Sequence, residues 1–454
     1  MFWNNGITRR NEHRLFLLVT VMLSAMILPS FTIHPSLPNI RLDELLLFSI
    51  FGLNVLFFIR NRFRFREKEK EELRLQKKEL KLIIIIFALL TISYFISNFY
   101  GVYIKKAGYY GLRDVMELVT FFKYFLVITL VLSIDIKRAE FDFLSKAFLS
   151  GIIFLLLFGW GQHLNPLNLN TWLSPYFNQQ HWEHLITGNP ARVLGTFDNP
   201  NFFGIFTVIA LAYFTVRYFF GEDGDKFPWK LLILIGLVIK LEFLTISRTA
   251  LFGIALLFTV LSIWSFLYHK RNKKVIIKIL ALFLLTLLLF LTASADFFYR
   301  LHEGLDFSTS TSFQGHMDRW GAAIGSIWES PVFGWGTQKY VMTTLVDNEY
   351  ALYARRYGFV GLAIYLSLFL LPWVQGLKNI RRKAGELGRG VPFDQPTQLI
   401  AAYIAVLPSI FVFNFLAGIF YNLQLMTIFA ICMGLVYNSL REKPDLINDS
   451  AVKS

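Results

Sequence analysis

Apolar runs of near-membrane length recur along the whole chain, and short polar stretches separate them. A helix of about 20 apolar residues crosses the hydrocarbon core of a bilayer. Helices and closed barrels alone satisfy the backbone there. By hydropathy and length the pattern predicts about twelve spans. The first four lie near Leu15–Thr32, Leu45–Ile59, Leu82–Tyr100 and Val115–Ile134. The next four lie near Phe148–His163, Phe202–Phe220, Leu231–Ile246 and Ala250–His269. The last four lie near Val275–Ala293, Phe359–Gly376, Leu399–Leu416 and Phe420–Leu440. The expected fold is therefore all-α and polytopic, one integral membrane domain over residues 1–454.

Two connections are long, Asn165–Asn201 and Asp296–Arg356, and the second (loop 294–357) has room for structure of its own. Within it Met317, Trp320, Ile324, Ile327 and Trp328 share one helical stripe, with His316 and Arg319 side by side on a neighbouring face. This predicts an amphipathic helix ending at Ser330-Pro331, where the residue before proline resists the helical conformation. Its stripe would rest on the bundle or in the lipid interface.

Composition strengthens the membrane reading. Of 454 residues 55% are hydrophobic and 48 are phenylalanine, with a mean hydropathy of +0.50. The net charge of +14 brings nucleic acid to mind, but the basic residues gather in alternate loops, which is the positive-inside pattern. The segment Arg60–Lys81 alone carries ten Lys and Arg residues. With Lys270–Lys274, Lys378–Arg389 and Arg9, Arg10 and Arg14, it is assigned to the cytoplasm, which puts both termini inside. Lys105, Lys106 and Arg113 then fall outside, against the rule. The single Cys432 lies in an apolar span and excludes disulfides and cysteine metal sites. The first residues, MFWNNGITRRNEHR, lack an Ala-x-Ala cleavage site, so the first span reads as an anchor.

Nucleotide and metal signatures are missing. There is no Walker A, no Gly-rich dinucleotide loop and no helix with paired metal ligands, so neither cofactor nor metal is expected. Asp223-Gly224-Asp225 mimics the Asp-x-Asp of nucleotide-sugar glycosyltransferases, but without a surrounding α/β domain it reads as a solvated turn.

Candidate chemistry lies in four stretches that this topology puts on the outer side: Arg192–Gly204, Ser247–Gly253, His316–Gly336 and Asp347–Gly361. In the first, Asn199-Pro200-Asn201 and Gly195 make a bend before a span. That bend either caps a helix or aims Arg192, with Asn199 and Asn201, at a phosphate. Arg248 lies between two spans with almost no loop; it either snorkels or grips phosphate oxygens two at a time. Arg319 and His316 are either a solvated helix face or part of an anion site. Asp347 reads as a helix-capping acid or as a general base. It is followed by Asn348, Glu349, Tyr350, Arg355 and Arg356, a substrate-binding set or an ordinary interfacial charge cluster. Charges kept near a bilayer surface are costly unless they bind something, and an anionic lipid-linked substrate suits three arginines on one side.

The ordered set GTFDNPNFFG, SRTALFG, DRW…SPVFGWG and DNEYALY…GFVGL, over Arg192 to Gly361, resembles the O-antigen ligase/polymerase superfamily. The resemblance implies a glycosyltransferase of the lipid-linked (GT-C-like) type with one large external loop, working without metal at the outer face of a bacterial cytoplasmic membrane. It implies an undecaprenyl-diphosphate-linked oligosaccharide as donor, an acceptor glycan, the lipid bilayer, and a chain-length regulator and flippase as partners. By motif match Arg248 and Arg319 take the diphosphate-binding roles. Ligases of the family carry a histidine before the Asn of the last motif, where this chain has Asp347, and that departure favours a polymerase. A ligase acting on lipid A core and a transporter are the alternatives; a transporter would place charges near the membrane midplane.

Overall fold

The computed structural model describes residues 6–28, 41–60, 77–134, 136, 138–174, 192–221, 227–269, 272–305, 311–339, 346–388 and 390–440. Asp223-Gly224-Asp225 and most of the basic segment Arg60–Lys81 lie outside them. The described residues form helices and connecting turns, with no strand among them. In chain order the helices are α1 (Gly6–Ile27), α2 (Leu42–Arg60), α3 (Lys77–Phe99), α4 (Leu112–Leu132) and α5 (Arg138–Leu164). Then come α6 (Pro200–Phe220), α7 (Trp229–Thr245), α8 (Arg248–Tyr268), α9 (Lys273–Leu291), α10 (Ala295–Leu305) and α11 (Thr311–Glu329). The last three are α12 (Glu349–Leu387), α13 (Gln395–Phe413) and α14 (Leu423–Ser439). Among the described residues eight helices are long and apolar enough to cross a membrane. At the other expected spans the described residues form α1, α2, α7 and α14.

Successive spans run antiparallel, so every spanning helix has one end in each of two polar layers. At one end Phe393 N–H bonds Phe220 O, Arg14 reaches Ser133 O and Asn438 reaches Ile134 O. This is the basic end, where α1 begins and α14 finishes. At the other, Arg41 reaches Ala25 O, Arg192 reaches Thr245 O and Glu349 N–H bonds Asn414 O. All four candidate stretches lie there, and it is called the motif end below.

Helix α6 is the centre, with 83% of its apolar window buried; α9, at 11%, is a lipid-facing periphery. α6 packs on α7, α8 and α13, and α13 in turn on α12 and α14. Lipid tails are as apolar as leucine, so helices associate there through close packing and interhelical hydrogen bonds. Gly204 lets α6 approach Ala250 and Ser247, and Ser409 Oγ of α13 donates to Gly253 O of α8 at 2.8 Å.

Three helices begin about ten residues before the point that hydropathy marks, α1 at Gly6 among them, which corrects the boundaries above. α5 starts at Arg138 and α12 at Glu349, so Arg355 and Arg356 lie on a helix and not in a loop. Helix α11 does stop at Glu329, before Pro331. Its stripe is divided: Ile327 is buried with Ala323, whereas Met317, Ile324 and Trp328 remain exposed.

Candidate functional site

The α6–α7–α8 corner holds Arg192 firmly. Helix α7 ends at Ile246 in the left-handed conformation (φ 51°), which leaves its last carbonyls without helical partners. Arg192 Nε donates to Thr245 O (2.8 Å) and its terminal nitrogen donates to Ile246 O (3.4 Å) and Asn201 Oδ1 (2.9 Å). A guanidinium on a helix C-terminus satisfies both geometry and dipole. Asn199 caps α6, accepting from Asn201 N–H at 2.8 Å. Gln162 clamps the preceding turn through Leu194 and Gly195 N–H at 3.2 and 2.8 Å. These contacts commit Arg192, Asn199 and Asn201 to the scaffold.

Arg248, the first residue of α8, differs. Ser247 caps the helix, and the half-buried Arg248 side chain has neither hydrogen bond nor ion pair among the described residues. A cation at a helix N-terminus adds to the positive field there instead of relieving it, an arrangement that an anion would complete.

The second cluster joins α11 to the start of α12. Arg319 pairs with Asp347 Oδ2, and His316 Nδ1 stands 2.9 Å from the same oxygen, although poorly aligned for a hydrogen bond. The i, i+3 spacing of His316 and Arg319 puts both on one helix face. The three side chains remain open, at 23% (His316), 42% (Arg319) and 26% (Asp347) exposure. Burial works against the ionised Asp347, but the nearness of His316 and the charge of Arg319 outweigh it and hold the carboxyl below its ordinary pKa. The C-terminus of α13 touches residues that neighbour both this cluster and the Arg192–Arg248 corner. Glu349 N–H bonds Asn414 O there, Tyr350 Oη donates to Phe411 O, and Phe202 packs on Phe413.

Asn348 caps α12 through Ala351 N–H at 3.0 Å. Glu349 is fully buried, and each of its oxygens accepts a backbone N–H, from Ile419 and Phe420, at 2.9 Å. Beyond Arg356 the helix breaks at Gly358 (φ 68°). The break frees carbonyls that the SPVFGWG strap takes up: Trp335 N–H bonds Arg355 O and Gly336 N–H bonds Arg356 O, both at 2.8 Å. Phe359 N–H returns to Pro331 O at 2.7 Å.

Several residues here escaped the sequence reading. Glu117 of α4, fully buried, pairs with Arg356 (2.9 Å) and Lys339 (3.0 Å) and accepts from Tyr421 (2.6 Å) and Tyr357. Asp114, one turn earlier, anchors the strap through Thr337 Oγ1 and Lys339 N–H. Arg41, Asp43, Glu44 and Lys123 form a further buried ionic group. Ionisable residues inside a span are the signal that marks such networks, and α4 carries Asp114, Glu117 and Lys123. Arg355, in contrast, is buried without a partner for its Nε. Lys105, against the charge rule, donates to Glu329 O and lies over the Trp335 ring.

Fold and site together define a polytopic helical membrane protein whose arginines and acids are gathered at one end of the bundle. Residues 231–366, from α7 into α12, match the family model described as O-antigen ligase, and this match supports the O-antigen ligase/polymerase superfamily for that part of the chain. The matched segment contains Arg248, His316, Arg319, Asp347, Arg355 and Arg356, and leaves Arg192 outside. No curated protein matches the chain.

Proposed function

We propose that this protein lengthens a cell-surface polysaccharide. It transfers a glycan from an undecaprenyl-type diphosphate to an acceptor glycan hydroxyl, without metal, at the outer face of the bacterial cytoplasmic membrane. The match of residues 231–366 to the O-antigen ligase family model supports a polysaccharide-related glycosyl transfer. The observation that carries the finer reading is Arg248, a half-buried guanidinium at the motif end with no hydrogen bond or ion pair among the described residues. Arg248 and Arg319 hold the diphosphate and stabilise its charge as it leaves; Arg319 exchanges Asp347 for phosphate oxygens. The acceptor hydroxyl attacks the anomeric carbon, and its proton passes into the cluster around Asp347. Arg355, buried and with no hydrogen-bond partner for its Nε among the described residues, is a further cation for the same anion. Helices α10 and α11, between α9 and α12, would cover the site from outside. A flippase delivers the donor and a chain-length regulator ends the polymer.

The family description also favours a ligase transferring to lipid A core, and one assay separates the two. Purified protein receives a lipid-linked repeat in excess chelator, with either a second lipid-linked repeat or lipid A core as acceptor. Extension of the repeat is expected, and transfer confined to lipid A core overturns the polymerase reading. Arg248→Ala and Arg319→Ala should each lower the rate about 10²–10³-fold. Arg→Lys should recover only part, since an ammonium lacks the two-point fit to phosphate. Normal rates in both alanine variants would place the diphosphate elsewhere.

A further inference from the structure

The carboxylate of Asp347 is badly placed to be a base. Arg319 occupies Oδ2, and Arg319 and His316 together hold the group ionised. A carboxylate that is already stabilised gains little by taking up a proton. The imidazole beside it is placed differently. An ionised carboxylate only accepts hydrogen bonds, so Nδ1, which stands 2.9 Å from it, is the ring nitrogen suited to carry the proton once the pair aligns. That leaves the lone pair on Nε2, which meets no protein donor or acceptor among the described residues. The ring is steadied from one side by Trp320, one turn along α11, at 6.2 Å between centroids. Its 23% exposure opens it to a substrate that has reached Arg319 on the same helix face.

We propose that His316 is the catalytic base for glycosyl transfer and that Asp347 is its positioning partner. This rests on the reading under Proposed function. The acceptor oxygen gives a lone pair to the anomeric carbon and forms the new C–O bond. The bond from that carbon to the diphosphate oxygen breaks, and its electron pair leaves with the diphosphate. The hydroxyl proton passes to Nε2, and the imidazolium that forms is stabilised by Asp347 through Nδ1–H. Arg319 is released from Asp347 as it turns to the leaving diphosphate, so the carboxylate becomes free to pair with the imidazolium when that charge appears. One short helix face thus supplies both the proton acceptor and the leaving-group cation, three residues apart.

The test uses the purified full-length chain and a lipid-linked repeat in a single-turnover transfer assay. His316→Gln keeps size and hydrogen bonding but cannot accept the proton, and the rate should fall about 10²–10⁴-fold. Retention of the lipid-linked repeat by the protein should remain within about threefold, since binding belongs to the arginines. Added imidazole should restore part of the activity of His316→Ala and none of that of Asp347→Ala. A His316→Gln rate within about threefold of wild type, or a His316→Ala loss that imidazole does not relieve, overturns the inference. Arg248→Ala in the same assay distinguishes the failures. If it is dead while His316→Gln is normal, the diphosphate reading stands and the base is elsewhere. If Arg248→Ala is also normal, that reading falls with the inference.

Discussion

Glu117 shows how much a single buried charge carries. Its carboxylate balances Arg356 and Lys339 and is held by two tyrosines. Removing one partner of a buried pair leaves an uncompensated charge and typically costs about 3–5 kcal/mol. Glu117→Gln should therefore lower the thermal stability of the detergent-solubilised protein sharply. Glu117→Leu combined with Arg356→Met should cost less than the sum of the two single changes, as a double-mutant cycle would show. Asp347 has a depressed native pKa, so its stabilising contribution is fully present above the unfolded value of about 3.9. That contribution is lost as pH falls through the lower native value. Wild type and Asp347→Asn should therefore differ in melting temperature near neutral pH and converge in acid; a gap independent of pH would show that the ion cluster contributes nothing to stability. At this scale the sequence revealed residue types but not partners. A cap before α6 and before α12 was legible because capping is local, but the sequence pointed to Asp347 as the cap of α12, where Asn348 holds that place. The pairing of Arg356 with Glu117 joins positions 239 apart and has no local signature.

Helices themselves were well marked wherever apolar runs were unbroken, as in α6 and α8. The starts of α5 and α12 were hidden for one reason. Charged residues lower hydropathy, and Arg355 and Arg356 become helical because α12 packs against α3 and because Glu117 faces Arg356. At the break in α12, a side chain at Gly358 would collide with the Val332 carbonyl, and the backbone there is left-handed. Gly358→Ala should displace the strap and reduce both yield and transfer rate, whereas Gly385→Ala, which meets open space, should be silent. At the basic end Asp394 caps α13 through Thr397 N–H at 3.0 Å and is paired with Lys383 at 3.2 Å. Burial opposes its ionisation, but Thr397 and Lys383 together hold its pKa below the ordinary value. Asp394→Ala should cost about 1 kcal/mol of stability, the usual value of a lost cap, measurable as a lower denaturant midpoint.

For the molecule as a whole, the antiparallel run of spans divides charge between two ends. The basic end holds α12's last turns and the start of α1; the motif end holds every candidate site residue. Basic loops resist translocation, so we propose that the basic end faces the cytoplasm. Labelling tests this simply, because Cys432 is the single cysteine. In a Cys432→Ser background, Leu167→Cys (93% exposed at the motif end) should react with an impermeant thiol reagent applied to intact cells. Glu386→Cys (62% exposed at the basic end) should react only after lysis. The reverse result would turn the protein over and end any reading that uses an outer-face donor.

The break at Gly358 also fixes a phase. A residue added to a helix turns everything beyond it by about 100° and advances it by about 1.5 Å. One alanine inserted between Tyr357 and Gly358 would leave the long lower part of α12 in its place among α3 and α13. The upper segment would be screwed round relative to it, swinging Arg356 away from Glu117 and pulling the carbonyls of Arg355 and Arg356 out from under the strap. Two separate sets of contacts would have to slip together, so the segment tolerates no compromise angle. It behaves as a key cut for one rotational setting, and insertion into the exposed last turns of α12 near Glu386 should be absorbed with ease.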